Sequence, residues 1–414
     1  MDQPTLVAPS RVRTTLRPLG SLEQVFWLCD QNHPAHFALA AEIEGAATPA
    51  AWRGALDALQ RRHPLLAVGI AAGEDGVPSF VQQPDAPIPL RVVPGADWPA
   101  EVARELSRPF LAGEAPLLRA TLLHGARAAV CVLTAHHSVA DGISLTYLFR
   151  DLLQSLARRP LTALPVPASH EARLRLPAGV PPAPPAADRA PLASYREWEG
   201  APPFVDRLRL PAALSRELRT LARQERTTVH GALAAALTLA RTHLADAPSV
   251  PARILSPIDT RKLLGLTDEC ALVVEAAVTR PAQEPGDTFW DLARRTTDAL
   301  VSVRTLAGVR QARAPLCQAS AGGLDVAAAA GLFAQVYGHH SLLSNLGAVR
   351  FGSDFGALRL TGMWGPAVLF GLTGAQTVGA ITVDGVISLL HTSYHPIPAL
   401  LTTAERLLAV ACAG

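Results

Sequence analysis

His136-His137-Ser138-Val139-Ala140-Asp141-Gly142 has apolar sequence on both sides. Before it runs Ala128-Ala129-Val130-Cys131-Val132-Leu133, which has the composition of a buried strand. After it come Ile143, Tyr147 and other apolar residues at helical spacing, predicting a helix from Ile143 to about Ala157. The cluster therefore sits where a strand hands over to a helix, a place where α/β proteins put chemistry. With 13 His and 30 Gly in 414 residues, chance would give His-His-x-x-x-Asp-Gly in about one such chain in a thousand. Histidine is the side chain whose ordinary pKa, about 6.5, suits it to act as a base near neutral pH. Neighbouring residues of an extended segment point to opposite sides, so only one of His136 and His137 can face a site. The plain alternative is a hydrogen-bonded histidine pair in a loop.

The rest of the chain narrows the possibilities. A length of 414 residues suggests two lobes, and 49% hydrophobic content is ample for their cores. Net charge is only +2 and aromatics are 5%, without basic-aromatic interleaving, so nucleic acid is not an expected partner. Lys262 is the sole lysine. Five scattered cysteines (Cys29, Cys131, Cys270, Cys317, Cys412) form no C-x-x-C pair, which argues against a disulfide framework or zinc. That fits a reducing cytosol. Met1-Asp2-Gln3-Pro4 opens no signal peptide, and no run of 18 apolar residues predicts a membrane span.

Punctuation gives the organisation. Between Pro160 and Pro203 there are 11 prolines in 44 residues, densest at Pro181-Pro182-Ala183-Pro184-Pro185. Proline donates no backbone hydrogen bond, so we read residues 177–204 as a linker between an N-terminal lobe, 1–176, and a C-terminal lobe, 205–414. A proline-rich docking segment is the alternative. Ser21 with Gln24 is a capping-box pattern, and Asp287 is placed to cap a helix. Trp52, Leu56 and Leu59 share a helical face, which Pro64 ends after Arg61-Arg62-His63. A hairpin is expected around His124-Gly125-Ala126-Arg127 and another at Asp384-Gly385, which is read as a turn rather than a second active Asp-Gly. His63 and His230 read as packing residues. His339-His340 and His391 with His395 lack carboxylates or cysteines at ligand spacing, so no metal is expected.

The His-His-x-x-x-Asp-Gly motif resembles that of the CoA-dependent acyltransferase superfamily, which includes chloramphenicol acetyltransferase, plant BAHD acyltransferases and nonribosomal-peptide condensation domains. The nearest branch looks like the stand-alone polyketide-associated acyltransferases. The resemblance covers about Arg17 to the C-terminus and is specific mainly in this motif. It implies an α/β (α+β) fold of two chloramphenicol acetyltransferase-like lobes, each a mixed β-sheet with flanking helices, and an active-site tunnel between them. It implies that His137 is the general base, that Asp141 is structural, and that His136 supports. It further implies that Asp141 turns from the histidine to pair with Arg261 of the other lobe, in Ser256-Pro257-Ile258-Asp259-Thr260-Arg261. Asp354-Phe355-Gly356 matches the start of the BAHD Asp-Phe-Gly-Trp-Gly motif, but Ala357-Leu358 follows, which favours the bacterial branch.

The chemistry follows from the residues. An alcohol is a poor nucleophile until a base takes its proton, and such catalysis supplies about 10²–10⁴-fold. Gly142 offers a backbone N–H at a helix start, suited to an oxyanion. Ser344 and Asn345 in Ser344-Asn345-Leu346-Gly347 are substrate-binding candidates, though a plain turn explains them equally well. No Gly-x-Ser-x-Gly elbow suggests an acyl-enzyme. The site set is thus His137, Asp141 and Gly142, supported by His136 and Arg261. The expected function is O-acyl transfer from acyl-CoA, or an acyl carrier protein thioester, to a small-molecule alcohol such as a polyketide. The alternatives are amide-forming condensation and a non-catalytic carrier-protein docking role. No permanently bound cofactor, a monomer and a cytoplasmic setting complete the expectation.

Overall fold

The computed structural model describes residues 14–72, 76–95, 97–176, 194–244 and 252–413. Two mixed sheets dominate. The first has five strands in the order Arg359–Val368, His36–Glu44, Ala128–His136, Leu118–His124 and Leu90–Val93. The second has six, ordered Val274–Thr279, Ile254–Asp259, Ser341–Ala348, Gln376–Val383, Val386–Ser393 and Phe204–Arg209. A small third sheet joins Thr15–Pro18, Pro78–Gln82 and Val68–Ala72. Parallel pairing occurs once in the first sheet and twice in the second, and helices cover the sheet faces.

The strand that carries the histidines lies inside the first sheet. It pairs antiparallel with His36–Glu44 on one side and Leu118–His124 on the other, so its residues are almost wholly buried. A strand enclosed in this way reads as a continuous apolar run. Arg359–Val368 belongs to the second half of the chain but pairs with His36–Glu44 of the first. This crossover ties the halves together by backbone hydrogen bonds.

Local chemistry departs from the sequence expectation at two helix starts. Gly20, not Ser21, caps the helix Ser21–Asn32, and Glu23 rather than Gln24 closes the box by accepting from the Gly20 N–H at 2.6 Å. The reason is Arg17, which donates to both Glu23 oxygens at 2.7 Å and fixes that carboxylate over the helix start. Likewise Thr288 caps Phe289–Ala299, with Asp291 completing the box, because Asp287 is held by Arg295. The Asp384-Gly385 hairpin has the expected geometry: both residues have positive φ, +47° and +82°, as a two-residue turn between twisted strands requires. The turn after His124 joins its two strands where expected.

Of the residues read as a linker, 177–193, including Pro181 to Pro185, lie outside the described residues, as does Met1 to Pro4. From Ser194 the chain lies against the loop after the crossover strand, with Tyr195 bridging Leu372 and Arg196 N–H donating to Gly371 O at 2.8 Å. No helix among the described residues is long and apolar enough to cross a membrane.

Candidate active site

The histidine strand ends at His136, and a tight turn leads into the helix Gly142–Leu156. Val139 N–H donates to His136 O at 3.1 Å, and Ser138 Oγ donates to Glu23 O at 2.8 Å, pinning the turn to the first helix. The two histidines diverge. His136 accepts from the Ser138 N–H at 3.1 Å, and its Nε2 lies 3.6 Å from Asp30. His136 helps hold the Asp30 carboxyl below its usual range, although burial opposes this. His136 is thus packed against Phe110 and bonded within its own turn.

His137 lines a cavity of about 260 Å³. Its ring is stacked between Phe26, at 4.5 Å, and Phe37, at 4.2 Å, and is only 9% exposed. Phe370 stands 5.8 Å away. Nδ1 is buried without a hydrogen-bond partner. Burial pushes the His137 pKa down to about 3, and the Asp141 charge only partly offsets it. The imidazole is therefore neutral at pH 7, the form that can accept a proton.

Asp141 is spent elsewhere. It caps the helix Gly142–Leu156, accepting from the Ser144 N–H at 2.8 Å. Arg261 Nη1 and Nη2 donate to its two oxygens at 2.9 and 3.0 Å, and the Val273 N–H adds a bond at 2.9 Å. Burial would raise its pKa, but Arg261 and these donors outweigh burial and hold it low. Arg261 is fully buried, and it also donates to Asp259, Glu269 O and Ala271 O. A planar guanidinium suits this two-pronged contact, as lysine would not. The pair thus bolts the turn after His137 to the second sheet's strand Ile254–Asp259.

Gly142 is the first residue of its helix and borders the cavity. A Cβ there would come within 2.7 Å of the Leu346 side-chain tip, which would have to shift into the cavity to make room. The N–H groups of a first helical turn lack carbonyl partners within the helix and point at whatever lies before it. Ser344 and Asn345 lie on the strand Ser341–Ala348 and also border the cavity. Asn345 Oδ1 accepts from the Gly347 N–H at 2.9 Å, leaving its NH₂ as the available donor.

The structure thus brings all five of His137, Asp141, Gly142, Ser344 and Asn345 around one cavity, with Arg261 on its wall and His136 behind it. Sequence reading missed the aromatic walls, Phe26, Phe37, Phe333 and Phe370, and a polar group of Glu275 and Tyr337. Phe37, one residue after the His36 that pairs with His136, had no signal in the sequence alone. Phe333 and Phe370 had none, because they reach the site from distant elements.

Three histidines outside the site make internal bonds. His63 Nε2 lies 2.9 Å from Asp151 Oδ2, His230 Nε2 2.9 Å from Ser256 Oγ, and His391 Nε2 2.8 Å from Gln376 Oε1. Asp354-Phe355-Gly356 forms a turn before the crossover strand, with the Gly356 N–H donating to Asp354 at 2.8 Å.

Comparison with known proteins agrees with this architecture. Residues 24–167 match the Condensation domain family, and residues 200–353 match the family described as Phthiocerol/phthiodiolone dimycocerosyl transferase C-terminus. The chain is 28% identical over 337 residues to phosphinothricin tripeptide synthetase PhsC of Streptomyces viridochromogenes; the match covers 69% of this chain and 29% of that protein. The chain thus spans less than a third of that relative's length. Polyketide synthase associated protein 5 from Mycobacterium tuberculosis superposes with a TM-score of 0.65 at 20% identity, covering 97% of this chain and 98% of that one. The first condensation domain of the CDA synthetase gives 0.69 at 17% identity, covering 98% and 97%. These two likenesses show the fold, two lobes with a mixed sheet each. Residues 24–167 and 200–353 thus each match a family of the condensation or transferase type, and the chain as a whole has the two-lobed condensation-domain fold.

Proposed function

We propose that this protein is an O-acyltransferase that moves an acyl group from acyl-CoA, or from a carrier-protein thioester, to a hydroxyl of a small natural product, with His137 as general base. The observation that carries this reading is the neutral, phenyl-stacked His137 beside the cavity, with its Asp141 neighbour fully engaged by Arg261. An aspartate so engaged cannot orient the imidazole as in a hydrolase triad, so the base works alone.

The steps use this chain's residues directly. Nε2 of His137 takes the proton of the acceptor hydroxyl as its oxygen bonds to the thioester carbon. The carbonyl oxygen gains the negative charge, and the helix start at Gly142, with Ser344 and Asn345, supplies donors for it. The C–S bond then breaks, and the proton on His137 passes to the departing thiolate. No covalent acyl-enzyme forms. Apolar walls exclude water, which would otherwise compete for the acyl group.

The match over residues 200–353 to a transferase of dimycocerosyl groups supports an oxygen acceptor. The match over 24–167 to condensation domains, and the relation to a tripeptide synthetase, support amide formation as the second reading. The test is thiol release from acetyl-CoA and longer acyl-CoAs with alcohol and amine panels, in wild type and His137→Ala. Release that needs an alcohol and vanishes in the variant supports O-acyl transfer. Release that needs an amine selects the second reading. Release unaffected by His137→Ala overturns the assignment of the base.

A further inference from the structure

Two of the four phenylalanines around His137 come from separate elements late in the chain. Phe370 lies in the loop between the strands Arg359–Val368 and Gln376–Val383, and Phe333 lies on the helix Val326–Tyr337. Their rings meet at 4.8 Å, and Phe370 stands 5.8 Å from both Phe26 and His137. The segment that begins at Ser194 touches both elements. The Thr373 N–H donates to Ser194 O at 2.8 Å, so with the Arg196–Gly371 bond the segment pairs with the loop as a short strand would. Tyr195 also reaches the helix: its hydroxyl donates to Ala330 O at 3.0 Å, and its ring packs with Ala334, Leu372 and Ala375. One side chain thus joins the helix of Phe333 to the loop of Phe370.

The segment is fastened in turn. Trp198 meets the His33 ring edge-on at 5.0 Å, and the Arg196 guanidinium lies over the Tyr394 ring at 4.1 Å. Gly371 completes this seat. Its φ is +73°, and a Cβ there would come within 2.3 Å of the His33 ring, so the loop lies on His33 only because residue 371 is glycine. Burial of phenyl rings is non-directional and would tolerate some parting of loop and helix. A hydroxyl bonded to a carbonyl, and a backbone pairing, fix distance and angle. A gap that admits one water between these rings would place a rival nucleophile beside His137.

We infer that Tyr195 is a positioning residue for the transfer reaction: it locks Phe333 against Phe370, which keeps water from His137 and directs the acyl group to the acceptor. This rests on the reading of His137 as the base. With the lock released, water takes the acceptor's place. Its oxygen bonds to the thioester carbon, His137 takes its proton, the C–S bond breaks, and the thiolate receives that proton, leaving free acid and thiol. The titratable groups that act on the His137 ring are Asp141, His136 and His36, and the cavity also carries Asp259, Arg261, Glu275, Tyr337 and Arg350. The Tyr195 hydroxyl is engaged by Ala330 O and bonds to none of these. A change in the ring's titration on altering Tyr195 therefore reports hydration rather than a lost charge.

The test measures thiol, ester and free acid from octanoyl-CoA with decanol, in wild type, Tyr195→Phe and Tyr195→Ala. The His137 ring is titrated by NMR in the same proteins without substrate, its signal identified by its loss in His137→Ala. In Tyr195→Ala the share of acyl groups released as free acid is expected to rise about tenfold. Between about pH 5 and pH 8 the wild-type ring stays neutral, whereas in Tyr195→Ala it titrates toward 6.5. Tyr195→Phe keeps the ring and loses only the bond to Ala330, so it shows the same changes in smaller degree, and its result stands where Tyr195→Ala fails to fold. A merely structural role would lower ester and acid in parallel and leave the titration unmoved, which overturns the proposal. An unmoved titration overturns it whatever the rates do, and so does an unchanged acid share in a variant that transfers. A raised titration supports it even where no thioester reacts, which separates its fate from that of the transferase reading.

Discussion

At the scale of single residues, two groups of opposite character meet at one turn. His137 is held neutral by burial between phenyl rings, and Asp141 is held charged by a buried guanidinium. His137→Ala removes the proposed base and is expected to lower kcat/KM by about 10²–10⁴-fold with the fold intact, read from thiol release and circular dichroism together. The depressed pKa sets the pH dependence. With a value of about 3, protonation disables the base only in strong acid, so kcat/KM has no acid limb near 6.5. A pH–rate profile with its midpoint near 6.5 would mean that water wets the ring. Arg261 contributes differently. Arg261→Ala leaves the buried Asp141 carboxylate unpaired, and unfolding in urea should show a loss of about 3–5 kcal/mol. Arg261→Lys restores the charge but not the two-pronged contact and is expected to fall between. A fully stable and active Arg261→Ala would remove the idea that this pair shapes the catalytic turn.

At the scale of elements, the crossover strand Arg359–Val368 and the loop after it carry Pro366, Val368 and Phe370 to the cavity. Their position depends on a close approach at Gly379, on the strand Gln376–Val383 of the other sheet. A Cβ there would lie 2.3 Å from Gly365 C and 2.4 Å from Pro366 O, both backbone atoms that cannot swing aside. Gly379→Ala is expected to cost about 1–3 kcal/mol and to raise KM by displacing Pro366, in line with other overpacked sites. Gly331, inside the helix Val326–Tyr337, is the contrast, since a Cβ there meets open space. Gly331→Ala should be neutral or stabilising by up to about 1 kcal/mol, because alanine is the better helix former. Thermal melts of the two variants moving in the same direction would contradict this geometry. The elements also show what sequence made legible. The histidine strand, its hairpin and the following helix could be read because a local apolar run, a turn and helical spacing each left a mark. The crossover could not, because strand pairing between residues some three hundred positions apart leaves no local pattern. Glu275 and Tyr337 were hidden for the same reason: each is an ordinary residue until the fold sets them together.

Across the whole molecule, the distribution of histidines gives a prediction about folding. His36, His137, His170, His230, His339 and His391 are all pushed down to about 3 or 4, chiefly by burial. In the unfolded chain the same groups take up protons near 6.5. Between these values the unfolded state binds more protons than the folded one, so stability rises with pH and is lost as pH falls through 6.5 toward 4. Each such histidine contributes a slope of about 1.4 kcal/mol per pH unit in that window. The low-pKa carboxylates Asp141 and Asp151 act in the same direction at more acid pH, below their unfolded values. Glu23 and Glu275, raised by burial, act oppositely: their contribution is present below about 4.5 and fades as pH rises through their folded values. Six histidines against two carboxylates fix the net sign. The protein should lose stability steeply from pH 7 to pH 5, with uptake of several protons on unfolding, measurable from urea midpoints across pH. A flat profile over that range would require these rings to be hydrated or already charged in the folded state. The cavity would then be wetter than its phenyl walls imply, and the proposal of a base kept neutral between those rings would lose its physical support.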